Sequence, residues 1–267
     1  MSPFPELTQE SLTTLREEFS KSVERLDEMP AEINEGFDRV RWVSMATYWA
    51  LTDTRDEVQE QLKKLIEKIK EAVEGMFAPW LFVDYASKWQ QVGSPVGAVY
   101  ARQNSEEFNL EGNWDGSAYK SFKESRGYQA AAMTAIVTLC ESVHDELLTI
   151  AEEGRVLYKA LIDKLATVIS AAVEFAAESA STAGAAVPFA LPTANAAITA
   201  AVELVVELIT NFAEVQTKVW IASNELQNMI RSPSGLSVDA HGNSVWPTPN
   251  TREYNDKDDG WELDGED

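Results

Sequence analysis

From residue 117 to about 181 the chain carries an apolar stripe, mostly at spacings of three or four, through Ile136, Leu139, Val143, Leu147, Leu157, Leu161, Leu165, Val168 and Val173. That period is the signature of one face of an α-helix, and no strand pattern can share it. Gly127 and Gly154 are the weak points of the run. Uninterrupted, the helix would extend roughly 100 Å at 1.5 Å per residue, with Gly154 the expected place for a kink. A stripe of that length has to be covered by other helices. The expected fold class is all-α: an elongated bundle of long amphipathic helices.

The rest of the chain agrees. Leu12, Leu15, Phe19, Val23 and Leu26 predict a first helix over about Glu6–Met29, bounded by Pro5 and Pro30. A second helix is expected from Ala31 through Val58, Leu62, Leu65, Ile66, Ile69 and Val73, ending at Gly75 and Pro79. Its outer face alternates acid and base (Glu60, Lys63, Lys64, Glu67, Lys68, Glu71), a pattern of i,i+3 and i,i+4 ion pairs. A short helix over Pro79–Gln91 carries Trp80, Phe82, Tyr85 and Trp89, and Gly93-Ser94-Pro95 should end it. Residues 96–113 show no clear period. The chain then turns at Trp114-Asp115-Gly116, with Ser117 as the expected N-cap of the long helix. Ala183–Pro192 reads as a turn, and Thr193–Arg231 as a last helix. A bundle over 1–231 is therefore expected to precede an acidic tail over 232–267. Beyond residue 250 that tail holds Glu253, Asp256, Asp258, Asp259, Glu262, Asp264, Glu266 and Asp267 against Arg252 and Lys257, too little apolar surface to offset ordering entropy, so it is expected to be disordered.

Charge narrows the function classes. With 44 acidic and 22 basic residues the net charge is -22, which repels polyanions and anionic bilayers alike, so no nucleic-acid partner is expected. Cys140 is the single cysteine, so the fold cannot depend on an intrachain disulfide. The segment MSPFPELTQESL has neither basic cluster nor apolar core, hence no Sec-type signal. The longest uncharged run, Ser179–Val202, is rich in Ala, Ser and Thr and carries Pro188 and Pro192, which reads as two helix ends and a turn.

Catalytic constellations are scarce. His144 and His241 are the two histidines. Glu141 and His144 have the Glu-x-x-His spacing of carboxylate-bridged metal bundles, but the second copy such a site needs is missing, since Val238 stands three positions before His241. Cys140 and His144 are i,i+4 neighbours, close enough for a thiol–imidazole pair, yet a cysteine in an apolar stripe reads as core. There is no Gly-rich phosphate loop, no nucleophile elbow, and no Cys-x-x-Cys or His-x-x-x-His pair. The expectation is a protein without catalytic chemistry, metal or cofactor.

Asn113-Trp114-Asp115-Gly116-Ser117-Ala118-Tyr119, followed by Phe122 and a long Ala-rich helix, resembles the WXG superfamily, the helical-hairpin proteins exported by type VII secretion systems of Gram-positive bacteria. The resemblance covers about residues 79–180, and the chain is longer than the minimal family member, like the large multi-helix substrates. It implies that Trp114 and Gly116 belong to an export signal. Tyr254-Asn-Asp-Lys-Asp258 has the spacing of the family's second signal element, Tyr-x-x-x-Asp/Glu, although it lies more than twenty residues past Arg231. The implied partners are the secretion machinery with its motor ATPase and a homo- or hetero-dimer partner. The implied destination is secreted or cell envelope. Val187, Phe189 and Leu191 form an apolar turn that reads either as a membrane- or partner-touching tip or as a segment folded back on the bundle. Two other readings stay open: a membrane-active effector using that tip, and a cytosolic helical scaffold or chaperone.

Overall fold

The computed structural model describes residues 4–181 except 44, 75–77, 113 and 115; 196–210 except 197 and 201; 217, 220, 221, 223, 224, 227, 228 and 231; and 236–247. Four long helices lie among them: α1 (Gln9–Val43), α2 (Met45–Glu74), α3 (Ala78–Gln103) and α4 (Ser117–Ser181). Every described residue between 196 and 231 is helical as well. The architecture is an all-α bundle, with one small addition near the C-terminus. There β1 (Ser237–Val238) and β2 (Ser244–Val245) pair antiparallel, Ser237 opposite Val245 and Val238 opposite Ser244. The sequence reading placed these residues in the disordered tail, of which 248–267 lie outside the described residues.

By contacts the chain divides into two compact units, Met1–Asp84 with Leu147–Trp220, and Tyr85–Glu146 with Ile221–Asp267. The first owes its core to four helical segments. Phe19, Leu26, Met29, Ile33 and Phe37 come from α1; Val58, Leu62, Leu65 and Ile69 from α2; Tyr158, Leu161, Leu165, Val168 and Ala172 from α4; Ile198, Val202 and Val205 from the last segment. Each set keeps the spacing of a single helix face; the sequence pattern picks out Phe19, Leu26, Val58, Leu62, Leu65, Ile69, Leu161, Leu165 and Val168, but not Ile33, Phe37, Tyr158, Ala172 or the residues of the last segment. The second unit contains the C-terminal part of α3 and the N-terminal part of α4, with Ala86, Ala132, Met133, Cys140 and Val143 buried.

Three helix boundaries differ from expectation: the single helix expected from Ala31 to about Gly75 is divided between α1, which ends at Val43, and α2, which begins at Met45, and the other two differences are at prolines. Pro30 lies inside α1. An interior proline costs about 3 kcal/mol through its missing N–H and its ring. The same stretch buries Leu26, Met29, Ile33 and Phe37 almost completely, at about 1.5–3 kcal/mol each, so burial outweighs the defect. Arg25 braces the segment by bonding Glu28 at 2.9 Å and Glu32 Oε2 at 3.0 Å, and Gln59 Nε2 donates to Pro30 O at 2.9 Å. Pro95 lies inside α3, which runs through Gly93-Ser94-Pro95 instead of ending there. Its missing rung falls on the Gln91 carbonyl, and Gln91 is on the exposed face where water can replace the bond.

Nor does Gly154 interrupt α4. A Cβ built there would sit 2.6 Å from Pro79 Cγ. The glycine is a notch that admits the first turn of α3. Gly93 does the same in the second unit, where an added Cβ would meet Cys140 Cβ at 2.8 Å. The start of α1 is fixed by a reciprocal cap: Ser11 N donates to Thr8 Oγ1 at 3.1 Å, and Thr8 N to Ser11 Oγ at 3.3 Å.

Candidate functional site: the Trp114–Gly116 turn

After Gln103 the chain leaves α3 through a 3-10 turn, Glu106–Phe108, and reaches α4 at Ser117. Gly112 has φ 82° and Gly116 φ 95°; among the described residues only these two and Gly242 adopt positive φ. An L-residue is strained in that region, so glycine is what lets the chain reverse twice within five residues. Trp114 N donates to Leu110 O at 3.1 Å, closing the first reversal. Lys120 N donates to Gly116 O at 3.2 Å. That bond makes Gly116 the residue that caps α4, one position earlier than the sequence reading had the cap, and Ser117 its first helical residue.

The turn is held by one face of α4. Residues 119, 122, 123 and 126 lie at i, i+3, i+4 and i+7, so all four project toward the incoming loop. The Trp114 ring packs against Tyr119 (centroids 5.9 Å apart, planes at 56°) and Phe122 (5.5 Å, 42°). Such tilted pairs add about 0.5–1.5 kcal/mol to the area they bury. Lys123 Nζ pairs with Glu111 at 3.2 Å and lies 5.8 Å from the Tyr119 ring centre. The Glu111 carboxylate pushes the Lys123 ammonium above the usual lysine range. Arg126 donates to Phe108 O at 2.7 Å and to Gln103 O, so its guanidinium caps the last carbonyl of α3.

The aromatic group remains open to solvent. Trp114 and Tyr119 are half-buried, Phe122 is 39% exposed and Phe108 45%. Lys123 and Arg126 escaped the sequence reading, although their spacing from Tyr119 and Phe122 is the signal that they share its face.

The ribbon belongs to the same unit. Asp239 organises its turn: the Asp239 carboxylate accepts from His241 N (2.8 Å), Asn243 N (2.8 Å) and Asn243 Nδ2 (3.1 Å), and the donors hold it below the usual Asp range, those of Asn243 foremost. Gln129 Nε2 of α4 donates to Pro247 O at 3.4 Å. Chain that has left the last helix is thereby returned to the helix that starts at the turn.

Other sequence candidates fare differently. The Cys140 thiol is buried against Gly93 and desolvation pushes it above the usual range, while the His144 ring bonds Asp145 at 2.9 Å. No Cys140–His144 contact assembles. Among the described residues no group of three or more His, Cys, Asp or Glu could hold a metal ion, and no helix is long and apolar enough to cross a membrane. Asp115, Tyr254 and Asp258, and the tip residues Val187, Phe189 and Leu191, lie outside the described residues. The chain matches no protein-family model, no curated protein and no solved structure.

Proposed function

We propose that the chain is a non-enzymatic substrate of a type VII secretion system, exported and acting by protein binding or assembly. The observation carrying the reading is the Trp114 ring, supported by Tyr119 and Phe122 and left partly open beside a glycine-capped helix start. An aromatic platform built on a helix is rigid, so a recognising protein loses little ordering entropy on meeting it.

The ribbon supports a role for Tyr254 and Asp258 in the same signal. Pro247 bonds Gln129, thirteen residues along α4 from Gly116, which is about 20 Å of helix. Seven residues separate Pro247 from Tyr254, and a chain of that length spans up to about 25 Å. Chain length alone thus permits Tyr254 and the turn to belong to one signal. The motor ATPase is the partner this signal would address.

Co-expression with a type VII apparatus tests the proposal. Trp114→Ala and Tyr254→Ala should each reduce export to roughly a tenth or less, as loss of an aromatic anchor worth about 1.4 kcal/mol or more requires. Export of both variants at wild-type level, with the proteins folded by circular dichroism, refutes it.

A further inference from the structure

In the second unit α3 sits on α4 by its small residues. A Cβ built on Gly93 would meet Cys140 Cβ at 2.8 Å, and one on Gly97 would meet Val137 Cγ2 at 3.8 Å. Ala86, also buried, lies on the same side of α3. About a quarter turn away around the helix, at about 100° per residue, runs a second row: Tyr85, Trp89, Val92, Val96 and Val99. Its spacings of four, three, four and three residues are those of a heptad seam. None of the five is buried. Tyr85, Val92 and Val99 are exposed at 50%, 55% and 59%, and Trp89 and Val96 are half-buried. A helix whose packing ended at the α3–α4 contact would turn its large apolar residues inward and its small ones outward. Here the order is reversed, and the large residues form a seam suited to another helix.

Charge and size identify what fits it. The net charge of -22 sets most of the surface against a second copy. Residues 85–105 contain no Asp or Glu, only the bases Lys88 and Arg102, so two copies can meet here without an acid in the seam. The large rings, Tyr85 and Trp89, occupy one end of the seam and the smaller Val96 and Val99 the other, with Val92 between them. An antiparallel pair centred on Val92 sets Tyr85 of one copy against Val99 of the other, and Trp89 against Val96, large against small at each level. A parallel pair would stack ring on ring and valine on valine. In the antiparallel pair Lys88 of one copy and Arg102 of the other stand about 9 Å apart along the axis, close to a Debye length, so their repulsion is weak.

We propose that a second copy of this chain docks antiparallel on this seam, giving a two-fold dimer centred on Val92. The inference goes beyond the export reading and does not rest on the Trp114 turn. From residue 85 to 99 the seam is about 21 Å long, which buries less than a standard interface, so the dimer is expected to be weak, with a Kd of roughly 10–100 μM.

Sedimentation equilibrium of the full chain tests it. The wild type should pass from monomer to dimer between about 1 μM and about 1 mM. Val92→Glu sets like charges together on the dimer axis and should weaken association roughly tenfold or more. Val156→Glu, at a valine of α4 in the first unit that is 51% exposed, should leave it unchanged. Tyr85→Glu and Val99→Lys should each weaken the dimer, and the two together should restore it, because the antiparallel pair sets each acid against a base. In a parallel pair the double variant would associate more weakly than either single one. All four positions are exposed, and far-UV circular dichroism checks that each variant is folded. A wild type that stays monomeric up to about 1 mM overturns the second copy as the occupant. Association unchanged in Val92→Glu, or weakened as much by Val156→Glu, overturns the seam as its site. Failure of the double variant to recover overturns the antiparallel arrangement.

Discussion

Replacing Gly154 by alanine sets two opposed effects against each other, and the structure decides the sign. Alanine is the better helix former by about 1 kcal/mol in a helix interior. The new methyl would lie 2.6 Å from Pro79 Cγ and 3.5 Å from Pro79 Cβ. Ordinary carbon–carbon contact begins near 3.5 Å, so one group must retreat by close to 1 Å. A flexible side chain could yield, but the proline ring is locked to the backbone at the start of α3. Overpacking of this kind costs about 1–3 kcal/mol, and after the helical gain the expected net loss is about 1 kcal/mol. Gly127→Ala is the control. It sits in the same helix with nothing within 4 Å of an added Cβ, so it should stabilise by about 0.5–1 kcal/mol. The two substitutions, alike on a propensity scale, should thus move in opposite directions. Urea unfolding followed by far-UV circular dichroism reads the difference, with each unit fitted separately if two transitions appear. Pro79→Ala removes the ring atom that clashes, so Gly154→Ala in that background should regain its stabilising sign. If Gly154→Ala stabilises the parent chain as much as Gly127→Ala does, the close seating of α3 on α4 in this unit is refuted.

Gly116→Ala, at φ 95°, should destabilise the second unit by about 1–2 kcal/mol. Gly116→Asn should cost less, because asparagine tolerates the left-handed region better; equal losses by urea unfolding would contradict the backbone argument. Burial pushes the Tyr158 hydroxyl from 10.0 up to about 12. The unfolded chain therefore loses this proton first, so the contribution of Tyr158 is complete below pH about 10 and fades as the pH rises toward about 12. Stability measured at pH 9 and 11 should fall more for the wild type than for Tyr158→Phe, and parallel losses would refute the assignment.

Helix existence and core membership were legible because they depend on periodicity. Leu12, Phe19 and Leu26 in α1, and Leu161, Leu165 and Val168 in α4, are buried where their spacing placed them. Helix ends were less legible. Pro30 and Pro95 read as breaks because local chemistry favours a break, and in α1 the burial on either side of Pro30 overrides it. At the candidate site, Trp114, Gly116 and Phe122 stood out by type and order. Arg126 did not, since its partners are the carbonyls of Gln103 and Phe108, which sequence does not display. The ribbon was missed for a similar reason: two-residue strands carry almost no period, and the Asp239 turn is a matter of hydrogen-bond geometry.

What the sequence by itself determined is the class of the fold, much of the faces that α1, α2 and α4 bury, the acidic charge and the glycine-dependent turn at Trp114. These are one-dimensional properties: spacing, charge and the conformational range of a residue. The tertiary structure alone decided that Gly154 and Gly93 are notches and not hinges, that Gly116 caps α4, and that Pro247 meets Gln129. Each of these joins residues far apart in the chain or fixes a dihedral angle, and helical period carries no record of which face meets which.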